Sequence, residues 1–320
     1  MPPLLSRRSL NMSLAAVLLA AGAARGRAQE TPEADVAAGQ DRARRLTVQV
    51  MIGGEGPFAF AVDTGASRSV VSAELAAALR LPRRGSVRVN GIAGAELVPA
   101  VELPGLTVGA LRAGRTAMAV MAQGQLGAQG LLGVDLMRNR QVELDFRNGR
   151  VVLGRAEPAD VKRLSRGRAY PFPPARPGVE EVVVPARQRN GQLMIIDADL
   201  NGAPIAAFID SGAESTVGNL RLRTAAPARG LEPSAATIVV TLQSATGQTI
   251  SGDLAPLPLL RLGGVGLRGV QVVYADLHPF KLWKLTAEPA VLVGMDVLRH
   301  FDSVVLDFAR SQVRFRVPAR

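Results

Sequence analysis

Apolar residues recur at every second position through much of the chain, the period of a strand with one buried face. Leu46 to Ile52 and Phe58 to Val62 follow it, joined by the turn sequence Gly53-Gly54-Glu55-Gly56-Pro57. Leu193 to Leu200 and Ile205 to Ile209 repeat the arrangement around Asn201-Gly202-Ala203-Pro204, a strong hairpin signal. Further strands are predicted at Val142–Phe146, Val151–Leu153, Ile238–Leu242, Val270–Tyr274 and Val304–Phe308. The helical period surfaces most clearly in VSAELAAALRL at 71–81, with Ser72 as a candidate N-cap and Leu75 and Leu79 on one face. The pattern predicts an all-β fold with a short helix or two per lobe, one after each glycine-aspartate block.

The pattern also repeats on a larger scale. Pro57 to Ala66, PFAFAVDTGA, faces Pro204 to Ala213, PIAAFIDSGA, at an offset of 147 residues. LPGLTVG at 103–109 faces LPLLRLG at 257–263, LLGVDLMR at 131–138 faces LVGMDVLR at 292–299, and VELDF at 142–146 faces VVLDF at 304–308. The four blocks keep their order while the offset grows to 162, as loop insertions would make it. The chain therefore reads as a duplicated unit, with one lobe over 41–155 and a second over 179–320. Residues 156–178, rich in Pro, Arg and Gly, have a linker's composition, and 29–40 are short, polar and expected to be a flexible segment.

Composition narrows the setting. A chain of 320 residues has room for two domains of ordinary size, and Gly 33 and Pro 21 suit a turn-rich β architecture. Residues 1–28 read as an export signal: Arg7 and Arg8, an apolar stretch from Leu14 to Ala24, then Gly26-Arg27-Ala28 as a small-x-Ala cleavage site. SRRSLNM at 6–12 also fits a twin-arginine leader, so the expectation is an exported protein, periplasmic or secreted. No later segment is apolar for long enough to anchor the chain in a membrane. Cysteine is absent, which removes disulfides and thiol catalysis. The net charge of +11 falls to about +7 once four leader arginines are removed. The remaining arginines are scattered and not interleaved with aromatics, which speaks for a solvated surface and against nucleic acid.

The candidate chemistry lies at the ends of two matching strands. Each lobe contributes one apolar strand that runs into Asp63-Thr64-Gly65 or Asp210-Ser211-Gly212. A pseudo-twofold axis between the lobes would bring Asp63 and Asp210 together. Two close carboxylates cannot both ionise easily, so one proton is shared and their apparent pKa values split. Such a pair can take a proton from water while polarising a carbonyl. Gly65 and Gly212 are expected to allow a sharp turn and to offer N–H groups, and Thr64 and Ser211 to hydrogen-bond across the axis. A plain turn also uses Asp-Ser-Gly, but a turn alone does not account for both copies following matching strands in matching repeats.

These residues resemble the aspartic proteases, and among them the retropepsin-like members of bacteria, over most of the chain beyond the leader. VDTGAS and IDSGAE are similar to the two catalytic loops, and LLG at 131–133 and LVG at 292–294 to the block beneath each loop. The resemblance implies two homologous retropepsin-like β-barrel lobes about a pseudo-twofold axis, in a single chain acting as a functional monomer. It implies a catalytic dyad of Asp63 and Asp210, a water nucleophile, and a peptide or protein substrate, with no metal and no cofactor. It also implies hairpin flaps. VRVNGIAGAEL at 87–97, with Gly91-Ile92-Ala93-Gly94 at its tip, fits the first, and TLQSATGQTI at 241–250, with Ala245-Thr246-Gly247, the second. Neither contains the tyrosine of pepsin flaps.

Other motifs carry less. Gly264-Val265-Gly266-Leu267-Arg268-Gly269 fits a dinucleotide fingerprint, but a β run follows it where a helix is needed. The two histidines, His278 and His300, have no zinc spacing, and there is no Gly-x-Ser-x-Gly elbow. Lobe two carries an insert at 275–289 with the chain's one tryptophan, Trp283, either lining a substrate pocket or packing the insert. The leading expectation is an aspartic endopeptidase. The alternative is an exported, non-catalytic protein that keeps the bilobal cleft to bind a peptide or partner.

Overall fold

The computed structural model describes residues 34–41, 45–155, 180–225 and 237–317. The predicted export signal and the linker core therefore lie outside the described residues. Strands dominate, gathered among the described residues into one sheet of ten and one of fifteen. The ten-stranded sheet is built from lobe one. It runs from the hairpin Arg83–Asn90 and Ala95–Leu103, through Thr116–Met121, Val70–Ser72 and Gly130–Leu132, to Glu55–Val62 and Leu46–Ile52. Lobe two repeats this order inside the larger sheet.

In each lobe one short strand is threaded beside the strand that carries the aspartate. Gly130–Leu132 runs parallel to Glu55–Val62, pairing Leu132 with Val62, and antiparallel to Val70–Ser72. Ala290–Val293 does the same in lobe two, pairing Val293 with Ile209 and lying against Val217–Gly218. These are the LLG and LVG blocks. A strand hydrogen-bonded on both sides is rigid, and this one sits next to the point where each aspartate leaves its strand.

The fifteen-stranded sheet joins the lobes. Arg140–Asp145 and Arg150–Arg155, the last hairpin of lobe one, add to the strands Ser303–Asp307 and Gln312–Val317 near the end of lobe two. The register pairs Val142 with Leu306 and Leu144 with Val304. This pairing joins the two halves, and Ala34–Ala37 and Glu180–Arg189 cover the outer strands of the two hairpins. Val142, Leu144, Val304, Leu306 and Phe315 are buried in a core that is continuous across both lobes.

Local predictions hold with shifts at the ends, except in the segment expected to be flexible, where Ala34–Ala37 pairs with Arg150–Arg155 and Gly39–Gln40 with Leu46–Ile52. Leu46–Ile52 is a strand as predicted, while its partner begins three residues early, at Glu55. The run predicted over 193–200 is interrupted, forming Gln192–Ile195 and Ala198–Leu200, which pair with different neighbours. The predicted helix is Ala73–Ala78, with Ser72 as N-cap accepting from the Leu75 N–H at 3.1 Å. It stops short of Leu81 because Arg80 takes a left-handed φ of 49°. Asn201 and Gly202 both have positive φ, the geometry a two-residue hairpin requires. The glycine-rich 264–269 segment is hairpin turn and strand, and it continues directly as strand to Tyr274. Among the described residues no helix is long and apolar enough to cross a membrane.

Candidate active site

Asp63 and Asp210 stand at the tips of equivalent strands. The Asp63 N–H donates to Leu132 O at 2.9 Å, and the Asp210 N–H to Val293 O at 3.0 Å. One oxygen of each carboxylate is held by the backbone that follows it. Asp63 Oδ1 accepts from the N–H groups of Gly65 (3.0 Å) and Ala66 (2.8 Å), and Asp210 Oδ1 from Gly212 (2.9 Å) and Ala213 (3.2 Å).

The two loops lock into one another through Thr64 and Ser211, both buried. Thr64 Oγ1 donates to Ile209 O (2.9 Å) and accepts from the Ser211 N–H (3.0 Å). Ser211 Oγ donates to Val62 O (2.8 Å) and accepts from the Thr64 N–H (3.1 Å). Each hydroxyl thus satisfies two backbone groups, one of them in each case a carbonyl of the opposite strand. A buried polar group left without its partner costs about 1–3 kcal/mol, so this four-bond knot holds the lobes in register.

The glycines serve a purpose the sequence did not reveal. Neither Gly65 nor Gly212 has a positive φ, so neither is there for a left-handed turn. The constraint is space. A Cβ on Gly65 would fall 2.3 Å from Asp210 Cγ, and one on Gly212 would fall 2.2 Å from Asp63 Cγ. Each loop backbone lies directly against the opposite lobe's carboxylate, so the dyad is assembled from both halves.

Burial then sets the charge. Asp210 is pushed up to about 7, first by desolvation and second by the neighbouring Asp63 charge, against the pull of the Gly212 and Ala213 N–H groups. Desolvation also raises Asp63, opposed by the positive charge of Arg45 and by its two backbone donors. The pair therefore favours one ionised and one protonated carboxyl, the Asp63 charge raising Asp210. A folded-state pKa above the unfolded one means that the folded protein binds the proton more tightly. That contribution to stability is complete below the ordinary value of 3.8 and is lost as pH rises through about 7. Asp210→Asn is accordingly expected to melt at a higher temperature than the wild type above pH 7. The gain should fade below the ordinary carboxylate pKa, as scanning calorimetry across pH would show.

Several supporting residues were not singled out from the sequence. Beneath each loop a hydroxyl and a carboxylate brace the glycine of the inserted strand. Ser69 Oγ donates to Asp135 Oδ1 (2.7 Å) and accepts from Gly133 N–H (3.0 Å). Thr216 Oγ1 does the same with Asp296 Oδ1 (2.7 Å) and Gly294 N–H (3.0 Å). Ser69 and Thr216 share the 147-residue offset of the dyad, and both carboxylates belong to the repeated LLGVD and LVGMD blocks. The repeat was a signal that could have found them. Arg45 and Gln192 occupy one offset position but differ in role. Gln192 Nε2 donates to Gly65 O, whereas Arg45 is buried, paired with Asp41 at 2.6 Å and donating to Leu126 O.

Both predicted flaps are hairpins, Arg83–Asn90 with Ala95–Leu103 and Ile238–Gln243 with Thr249–Leu262. Their tips meet. The N–H groups of Ala93 and Gly94 donate to Gln248 Oε1 (3.0 and 3.2 Å), and a Cβ on Gly91 would fall 2.5 Å from Thr246 Oγ1. Each tip also crosses to the other lobe. Ile92 packs on the lobe-two cluster, its carbonyl accepting from the His278 N–H at 2.7 Å, and Ala245 packs on the lobe-one cluster. Gly247, at φ +83°, lies beside Gln125 of lobe one. Nothing in the local sequence marks Gln248 for this contact. Among the described residues no group of three or more His, Asp or Glu side chains gathers as a metal site would.

A β fold of two lobes with the same strand order, each bringing one aspartate against the other's loop, defines a bilobal protein of the aspartic-protease class. The chain belongs to the aspartyl protease family, whose model matches residues 48–136 and 196–297 and so includes both aspartates. In fold it is retropepsin-like with two lobes. Similar solved structures include conglutin gamma, a basic 7S globulin from lupine seeds (12% identity, covering 90% of this chain and 95% of that one, TM-score 0.47). Basic 7S globulin from soybean shares 10% identity over 88% of this chain and 94% of that one, with TM-score 0.43. A retropepsin-like aspartic protease from Rickettsia conorii shares 17% identity over 43% of this chain and 90% of that one, with TM-score 0.28. No curated protein matches the chain in sequence.

Proposed function

We propose that the protein is an aspartic endopeptidase that hydrolyses peptide bonds with the Asp63–Asp210 dyad. One observation carries this reading: each glycine is seated against the opposite carboxylate so closely that no side chain could stand there. A structural turn has no use for that reciprocal arrangement. In the proposed reaction ionised Asp63 takes a proton from water as its oxygen attacks the carbonyl carbon, while protonated Asp210 hydrogen-bonds the carbonyl oxygen. Return of a proton to the nitrogen breaks the C–N bond and releases an acid and an amine. Both carboxylates come from one chain, which supports a functional monomer. The test is digestion of a diverse peptide library from acid to neutral pH, with and without a statine-type mimic of the tetrahedral state. Cleavage that the mimic suppresses is the expected result.

A cleft that binds without cutting is the second reading, and the closed flaps favour it. Gln248 already occupies the two N–H groups at the tip of the first flap. Peptide binding with no turnover at any pH would select it. For the leader, we propose export to the periplasm or medium, checked by N-terminal sequencing of the mature protein for a start after Ala28.

A further inference from the structure

On the face of each strand that carries the aspartate, the residue two positions earlier also points toward the flaps. In lobe one that residue is Ala61, and in lobe two, at the same 147-residue offset, it is Phe208. The packing follows this parity. Phe60, Val62, Ala207 and Ile209 belong to the main core, whereas Ala61 and Phe208 head two separate clusters lying under the flaps. The Ala61 cluster takes in Val87, Val89 and Val98 of the first flap, and the Phe208 cluster takes in Val240, Leu242 and Ile250 of the second. These two positions are floors on either side of the dyad.

The roofs differ in the same sense as the floors. Because the flap tips cross over, the small Ala245 packs on the cluster that contains Ala61 and the larger Ile92 on the cluster that contains Phe208. At this pair of positions one side carries alanine twice, within a cluster that also holds Met121 and Leu126, and the other carries phenylalanine and isoleucine. The insert fixes this difference in place. Trp283 is 4% exposed and stacks on Phe208, with ring centroids 4.0 Å apart at 16°, and Phe280 meets Trp283 edge-on. Trp283 is therefore a buried brace stacked on Phe208, which leaves that ring little freedom to turn aside.

We infer that the cleft is unequal: Ala61 and Ala245 leave room for a bulky apolar side chain next to the scissile bond on the lobe-one side, whereas Phe208 and Ile92 restrict the lobe-two side to a small one. The inference rests on the proteolytic reading and names its substrate class, peptides with a large apolar residue on one side of the cut and a small residue on the other. Substrate enters when the tips lift, and their return closes floor against roof around these side chains.

The test compares cut sites from a peptide library for wild type, Ala61→Val, Phe208→Val and the double variant, after circular dichroism has shown each to be folded. The wild type should prefer bulky–small over small–bulky pairs, in one fixed order along the peptide, by roughly ten-fold or more. Ala61→Val should shrink only the bulky side and Phe208→Val relax only the small side, and the double variant, with like floors, should lose most of the preference. Equal size classes on both sides of the cut, or a preference that survives the double variant, would overturn the inference. If Phe208→Val does not fold, Ala61→Val alone decides, since it must narrow one side only. If the wild type cuts nothing, the proteolytic reading fails, and binding of the two mirror-ordered peptides still reads the cleft. A Kd ratio of about ten or more supports the unequal walls, while equal affinities or no binding overturn them.

Discussion

Replacing Asp63 or Asp210 by asparagine is expected to lower kcat/KM by roughly 10²–10⁴-fold or more, with the fold intact. The size follows from what the pair does. Asparagine has nearly the shape of aspartate but cannot accept a proton from water as Asp63 is proposed to do. At position 210 it supplies an N–H donor, but one that cannot pass a proton on. Because the two residues act as a unit, the double variant should be little worse than either single one. In the wild type, activity should fall as pH rises through about 7, where Asp210 gives up its proton. Steady-state cleavage of a single fluorogenic peptide by the four proteins checks both statements. Equal rates for wild type and both single variants would remove the dyad from the chemistry.

Gly65→Ala and Gly212→Ala are expected to be nearly as damaging, although neither changes an ionisable group. A methyl at either position would lie 2.2–2.3 Å from the carboxyl carbon of the opposite aspartate, inside any tolerable contact. The carboxylate must move or the loops must part, and displacement of a catalytic group by about 1 Å can cost roughly 10²-fold. Overpacking should also destabilise each variant by about 1–3 kcal/mol. Since φ at these residues suits alanine, the loss cannot be assigned to backbone strain. Glycines whose role is a turn give the control. Gly149 has φ +60° with open space around its Cβ position, and Gly149→Ala should affect stability alone. Kinetics and denaturant titration of the three variants separate the two kinds of glycine.

Much of this arrangement was legible in the sequence because four matching blocks state it twice. Strand alternation, the Asn201-Gly202 turn, the Ser72 cap and both Asp-Thr/Ser-Gly motifs are local signals, and the shared offset marks Ser69 and Thr216 as equivalent. What stayed hidden depends on partners distant in sequence. The alternation in Val142–Phe146 predicts a strand but does not say that it will pair with Ser303–Asp307 of the other lobe. The glycines of the motifs suggested a turn, yet their reason lies across the axis, at the other carboxylate. Gln248 reaches the first flap over 154 residues of separation, and no local pattern foretells it. Arg45 looked like one more surface arginine. Its burial beside Asp41 makes it the charge that offsets the desolvation of Asp63. The insert's tryptophan was read two ways, and burial against Phe208 places it in the packing.

The mutual dependence of the two carboxyls is tested most directly by carbon-13 NMR titration of Asp63 and Asp210 in wild type and Asp63→Asn. Such mutual dependence predicts two separated steps in the wild type, the upper near 7, and a downward shift of Asp210 once the Asp63 charge is gone. Two carboxyls titrating independently at ordinary values, with Asp210 unmoved by the substitution, would contradict it.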